Sequence, residues 1–111
     1  MVMGLTTGLW VMAQVRICDR NFIPATIVRR GDSDAGTVLV KLNRFEQGVT
    51  VYTQASSTGD DPLWSRGTGP TPVSEADADA YIARQVKYDP DVWVLEIEDR
   101  RGQYKIDGKV V

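Results

Sequence analysis

The stretch Asp91-Val92-Trp93-Val94-Leu95-Glu96-Ile97-Glu98-Asp99 constrains this chain more than any other. It is dense in β-branched and aromatic residues, it alternates, and turn residues bracket it, so it reads as a central β-strand. Trp93, Leu95 and Ile97 point to one face, and Val92, Val94, Glu96 and Glu98 to the other. Its apolar side is expected to hold a helix in place.

The rest of the chain is read around that strand. Leu5 to Arg20 carries two patterns at once. Leu9, Val11, Ala13, Val15 and Ile17 alternate as in a strand, while Leu5, Leu9, Met12, Ala13 and Ile17 form a helical stripe. Helix formers such as Met, Ala, Gln and Arg tip the reading to helix, with Asn21 in the left-handed cap position. Ala25–Arg30, Thr37–Asn43 and Val49–Gln54 read as strands joined by short turns, which suggests an antiparallel meander. Residues 55–72 are mostly Ser, Thr, Gly, Asp and Pro and read as one long loop enclosing Leu63 and Trp64. Ser74–Lys87 reads as a helix: Ser74 is a good N-cap, the acidic residues sit early and Arg84 and Lys87 late. Arg100-Arg101-Gly102 is expected to turn the chain into a last strand, Gln103–Ile106, with a loose tail over 107–111. The expected fold is α+β: one domain over 1–111, with a mainly antiparallel sheet of about five strands and one or two helices on one face.

Composition narrows the chemistry. A chain of 111 residues with 42% apolar and 25% charged residues suits one core, burying roughly two-thirds of its unfolded surface. There is no histidine, and the single cysteine, Cys18, permits no intrachain disulfide. The commonest metal ligand and neutral-pH base is thus missing, and zinc sites of Cys and His are excluded within one chain. The net charge of −2 gives no general pull toward nucleic acid or anionic membrane. The N-terminus lacks the marks of an export signal, and no stretch has the ~20 apolar residues a membrane span needs. A cytoplasmic location is the default expectation, and neither cofactor nor bound metal is expected.

Candidate sites are few. Asp32-Ser33-Asp34-Ala35-Gly36 looks like a calcium loop, but Thr37 and Asn43 occupy the positions where an EF-hand needs glycine and glutamate. Glu96 and Glu98, with Asp32 and Asp34, make the candidate acidic cluster for a divalent cation or for acid–base work. The plainer account pairs these carboxylates with Arg29, Arg30, Lys41 or Arg101 on neighbouring strands. Trp64, Arg29 and Arg30 make a candidate partner surface. The arginine pairs Arg29-Arg30 and Arg100-Arg101 are thin evidence for nucleic acid. Cys18 has no histidine to activate it and reads as an inert packed thiol. No phosphate loop, dinucleotide fingerprint or nucleophile elbow is present.

Three phrases, taken in order and spacing, resemble a known family. They are Leu9-Trp10-Val11, Val28-Arg29-Arg30-Gly31-Asp32 running into Asp34-Ala35-Gly36, and Asp89-Pro90-Asp91 leading through the strand to Arg100. They resemble the DUF1491 family of small, mainly alphaproteobacterial proteins, over about Leu5 to Tyr104. The resemblance implies a bacterial cytoplasmic protein and supplies no catalytic residue. Three functions are carried forward. The first is a non-catalytic binding or accessory protein acting on an unknown protein partner, and the second a small enzyme or ligand binder using a divalent cation. Nucleic-acid binding is the weakest. A homodimer through a sheet edge, at Tyr52 or Gln103–Ile106, is also expected as an option.

Overall fold

The computed structural model describes residues 6–55 and 62–111. Within them the chain runs α1 (Thr7–Arg20), β1 (Ala25–Arg29), β2 (Val38–Asn43), a 3₁₀ turn (Phe45–Gln47), β3 (Val49–Ala55), β4 (Leu63–Arg66), α2 (Glu75–Tyr88), β5 (Trp93–Glu98) and β6 (Lys109–Val110). The first segment is a helix because its inward stripe, Trp10, Val11, Gln14 and Cys18, follows helical spacing. Thr6 caps it by accepting from the Leu9 N–H at 3.3 Å. Ser74 does the same for α2, accepting from the Asp77 N–H at 3.1 Å.

The C-terminal end of α1 differs from expectation. Asn21 is not left-handed, with φ at −101°. The left-handed residue is Phe22, at φ 59°. Ile23 N–H donates to Cys18 C=O at 2.9 Å and Phe22 N–H to Asp19 C=O at 3.2 Å. That is a Schellman closure, with Phe22 at the position glycine usually takes.

Among the described residues six strands form one sheet in the order β1-β5-β2-β3-β4-β6. The sheet is mixed, not mainly antiparallel, and has six strands rather than five. β2 runs parallel to β5, and β4 parallel to β6. The meander of β2, β3 and β4 ends at α2, which crosses over and returns the chain between β1 and β2. That return makes β5 parallel to β2 and antiparallel to β1. β5 is therefore interior, as its alternation predicts.

The two faces of the sheet pack differently. Trp93, Leu95 and Ile97 join Val38, Val40 and Leu42 of β2 under Trp10, Val11 and Cys18 of α1. Val92, Val94, Leu39, Val49 and Val51 face the other way, against Ala78 of α2. The helices thus lie on opposite faces, not on one. Residues 38–43 are buried throughout because both faces are covered.

Two segments expected to lack regular structure carry strands. Leu63–Arg66, inside the expected long loop, pairs with β3; residues 56–61 of that loop lie outside the described residues. The expected loose tail contains β6, whereas Gln103–Ile106, the expected last strand, is not one. The reason is Asp99. Its buried carboxylate accepts from the N–H groups of Gln103 and Tyr104 at 2.9 and 2.8 Å, folding the chain back before a strand can start. Asp107 then anchors the tail. Its carboxylate accepts from Trp10 Nε1–H at 3.0 Å and its backbone carbonyl from Trp64 Nε1–H at 2.7 Å.

Candidate functional site

Glu96 does join a group of carboxylates, but with different members from those expected. α2 brings Glu75 and Asp79 over β2, and Lys41 rises between them. Lys41 Nζ lies 2.9 Å from Glu75, 2.8 Å from Asp79 and 3.5 Å from Glu96. Burial disfavours the charge on Lys41, which is only 5% exposed. Hydrogen bonds to Asp79 and Glu75 and the charges of Glu96 and Asp79 outweigh that penalty and hold its pKa above the usual lysine value. The protein thus supplies its own cation, and the group ties α2 to the sheet.

The other acidic residues do not converge on it. Asp32 folds its own loop, accepting from the N–H groups of Asp34 and Ala35 at 3.2 and 2.8 Å. Its backbone carbonyl accepts from Trp93 Nε1–H, which puts it beside the start of β5. Glu98 ends the same strand. At about 3.3 Å per residue the two ends are roughly 16 Å apart. Among the described residues no group of three His, Cys, Asp or Glu side chains is placed to hold a metal ion.

The expected partner surface also disperses. Trp64 is fully buried and stacks on Trp10 with ring centroids 5.4 Å apart. It is a core residue rather than an offered one. Arg29 donates to Val92 C=O at 2.9 Å, and Arg30 lies over the Trp93 ring at 5.3 Å. The second arginine pair sits past the opposite end of β5, where Arg100 stacks on Phe45 at 4.0 Å. The two pairs do not meet. Cys18 is buried, and burial together with the charge of Asp99 pushes its thiol pKa up, as suits an inert thiol.

The stripe that marks α1 as a helix in the sequence, Leu9, Met12, Ala13 and Ile17, is its outer side, and that this side stays open to solvent is what sequence reasoning missed. Leu9, Met12 and Ile17 are 56%, 51% and 48% exposed there. Phe22, at the helix end, is 95% exposed. A left-handed backbone costs a side-chain-bearing residue about 1–2 kcal/mol, and glycine would avoid it. Two grooves flank the ring. One, of about 490 Å³, is lined by Ile17, Arg20, Tyr104 and Lys105. The other, of about 470 Å³, is lined by Pro24, Glu98, Arg100 and Arg101. Arg20, Arg101 and Lys105 are exposed, and among the described residues the ion pairs all belong to Lys41. A signal was present in the sequence: Asn21-Phe22-Ile23-Pro24 places a large aromatic residue in a turn, where small or polar residues are the rule.

Comparison with known proteins bears on the whole chain. A family model described as "Protein of unknown function (DUF1491)" matches residues 5–107. The crystal structure of a DUF1491 family protein from Caulobacter crescentus CB15 is 36% identical, with a TM-score of 0.82, over 98% of this chain and 99% of that one. An NMR structure of a DUF1491 family protein from the same organism is 37% identical, with a TM-score of 0.83, over 98% of each chain. The solution structure of protein Atu0922 from A. tumefaciens shares the fold at 22% identity, with a TM-score of 0.74, over 94% of this chain and 90% of that one. No curated protein matches. Among the described residues no helix is long and apolar enough to cross a membrane.

Proposed function

The chain belongs to the DUF1491 family, and from that premise we propose that it is a small non-catalytic binding or accessory protein acting through a protein–protein surface. The surface is the outer side of α1 continued by Phe22. The observation that carries this reading is Phe22 itself, a large aromatic residue that is almost fully exposed and held in a strained backbone conformation. Strain of that kind persists where function selects it. Exposed aromatic anchors beside grooves are what protein interfaces use as hot spots. The unpaired Arg20, Arg101 and Lys105 set the sign of the partner, which presents carboxylates around an apolar centre.

The test is affinity capture from a lysate of the source cells. Wild-type chain is expected to retain a stoichiometric partner, with retention weakening as salt rises. Phe22→Asp and Ile17→Asp are expected to lower it by at least about tenfold. Arg84→Gln, on the exposed side of α2, is expected to leave it unchanged. A partner held equally well by Phe22→Asp, or no stoichiometric partner at all, contradicts the reading.

A further inference from the structure

β1 ends the sheet. β5 pairs with one of its edges, and no strand among the described residues pairs with the other. Glu98 N–H donates to Pro24 C=O at 2.9 Å. By the alternation of an antiparallel ladder, the N–H and C=O groups of Ala25 and Ile27 therefore point away from β5. No proline or lysine within β1 blunts this edge, although an irregularity between Ile27 and Arg29 limits its length. A groove of about 430 Å³ runs between the edge and α1, lined by Met12, Val15, Arg16, Asp19 and Ala25 among others. Ala25 and Ile27 pack their side chains toward the α1 face, only partly buried. Arg16 and Asp19 line the same flank of α1, and neither has an ion-pair partner among the described residues.

We propose that a second copy of this chain covers this edge: two β1 strands pair antiparallel about a two-fold axis normal to the sheet, with Arg16 opposite Asp19 of the partner subunit. An axis at Thr26 sets Ala25 against Ile27 of the partner subunit, so the outward backbone groups of both strands are satisfied. The side chains of Ala25 and Ile27 from both copies then meet beneath the two α1 helices, beside Met12 and Val15. A two-fold contact requires a self-complementary patch. Opposite charges three residues apart on one helix flank provide it, since the axis reverses one helix against the other. An unrelated strand would satisfy the backbone equally well, but nothing on the edge selects its charges. Met12 borders both this edge and the outer side of α1, but Phe22→Asp leaves the β1 edge intact and Ala25→Pro leaves Phe22 in place, so the failure of one reading is distinguishable from the failure of the other.

Sedimentation equilibrium from micromolar to millimolar concentration tests the proposal. The wild-type mass is expected to rise from 12.3 kDa toward twice that value. Asp19→Arg sets arginine against arginine and is expected to weaken association by at least about tenfold, and adding Arg16→Asp to it restores the dimer. Ala25→Pro removes an outward N–H without touching the internal ladder and is expected to weaken it as well. Circular dichroism confirms that each variant is folded. A wild-type chain that keeps the monomer mass throughout overturns the proposal and leaves the edge to an extended segment of another protein. So does a dimer that neither Asp19→Arg nor Ala25→Pro weakens, or one that the double charge swap does not restore.

Discussion

α1 and α2 are both fourteen residues long, both are capped by a hydroxyl side chain, and they cover opposite faces of one sheet. Each ends at an exposed aromatic ring, Phe22 after α1 and Tyr88 on α2, but along their length the solvent sides differ. α2 shows Glu75, Asp77, Asp79, Arg84 and Lys87 to water, and its acidic first turn suits the helix dipole. α1 has no acidic residue in its first turn and leaves Leu9, Met12 and Ile17 half exposed. Beneath them the contrast repeats. Trp64 and Trp93 pack under α1 against its own Trp10, whereas valines and Leu39 pack under α2, with Lys41 and its carboxylates beside them. Short of Tyr88, α2 is finished toward solvent; α1 has the outer face of an element awaiting cover.

The largest expected effect tests the core under α1. Trp64→Ala removes the stack on Trp10 and one of the two indole anchors of the tail, and is expected to destabilise the fold by about 3–5 kcal/mol in urea denaturation. A loss under about 1 kcal/mol would place Trp64 outside the core.

Under α2 the expected losses are smaller and unequal. Glu75→Gln combined with Asp79→Asn leaves a buried ammonium short of partners. It is expected to cost about 2–3 kcal/mol, below the full penalty for a broken buried pair because both carboxylates are more than half exposed. Lys41→Met leaves no buried charge and is expected to cost about 1 kcal/mol. The pH dependence follows from the raised lysine pKa. The difference between wild type and Lys41→Met is expected to hold its full size up to about pH 10.4, the unfolded value, and to shrink as pH rises toward the folded value. Denaturation at neutral and alkaline pH checks the sign.

Smaller still is Leu9→Gln, which is expected to change stability by no more than about 0.5 kcal/mol in urea denaturation. At the bottom of the scale, Cys18 is expected to stay unmodified by thiol reagents in the native protein and to react on unfolding, since it lies on the inward side of α1, buried against the sheet.

Much of this contrast was legible in the residues. Alternation from Val92 to Glu98 gave β5 and the sides its residues occupy, because a strand with both faces covered has little freedom in where it puts Trp93 and Val94. Ser74 and the charge order that follows marked α2. The pairing of Lys41 with Glu96 was among the pairings anticipated. Strand order was not legible. The parallel pairing of β2 with β5 depends on where α2 returns the chain, and no local pattern records that. β4 escaped notice because four residues inside a polar segment show too short a period, and β6 because two residues show none. Asp99 reads in the sequence as the end of the β5 stretch, although its carboxylate is spent on two backbone N–H groups. Phe22 was passed over because its neighbours read as a helix cap, and the handedness of one residue is a property of three dimensions.

The exposed ring at the end of α1 can be tested in one variant read two ways. Phe22→Gly relieves the left-handed strain and is expected to stabilise the fold by about 0.5–1 kcal/mol in urea. The same variant is expected to lose the captured partner. Greater stability with lost capture is the outcome this account predicts; a more stable chain that still holds its partner contradicts it.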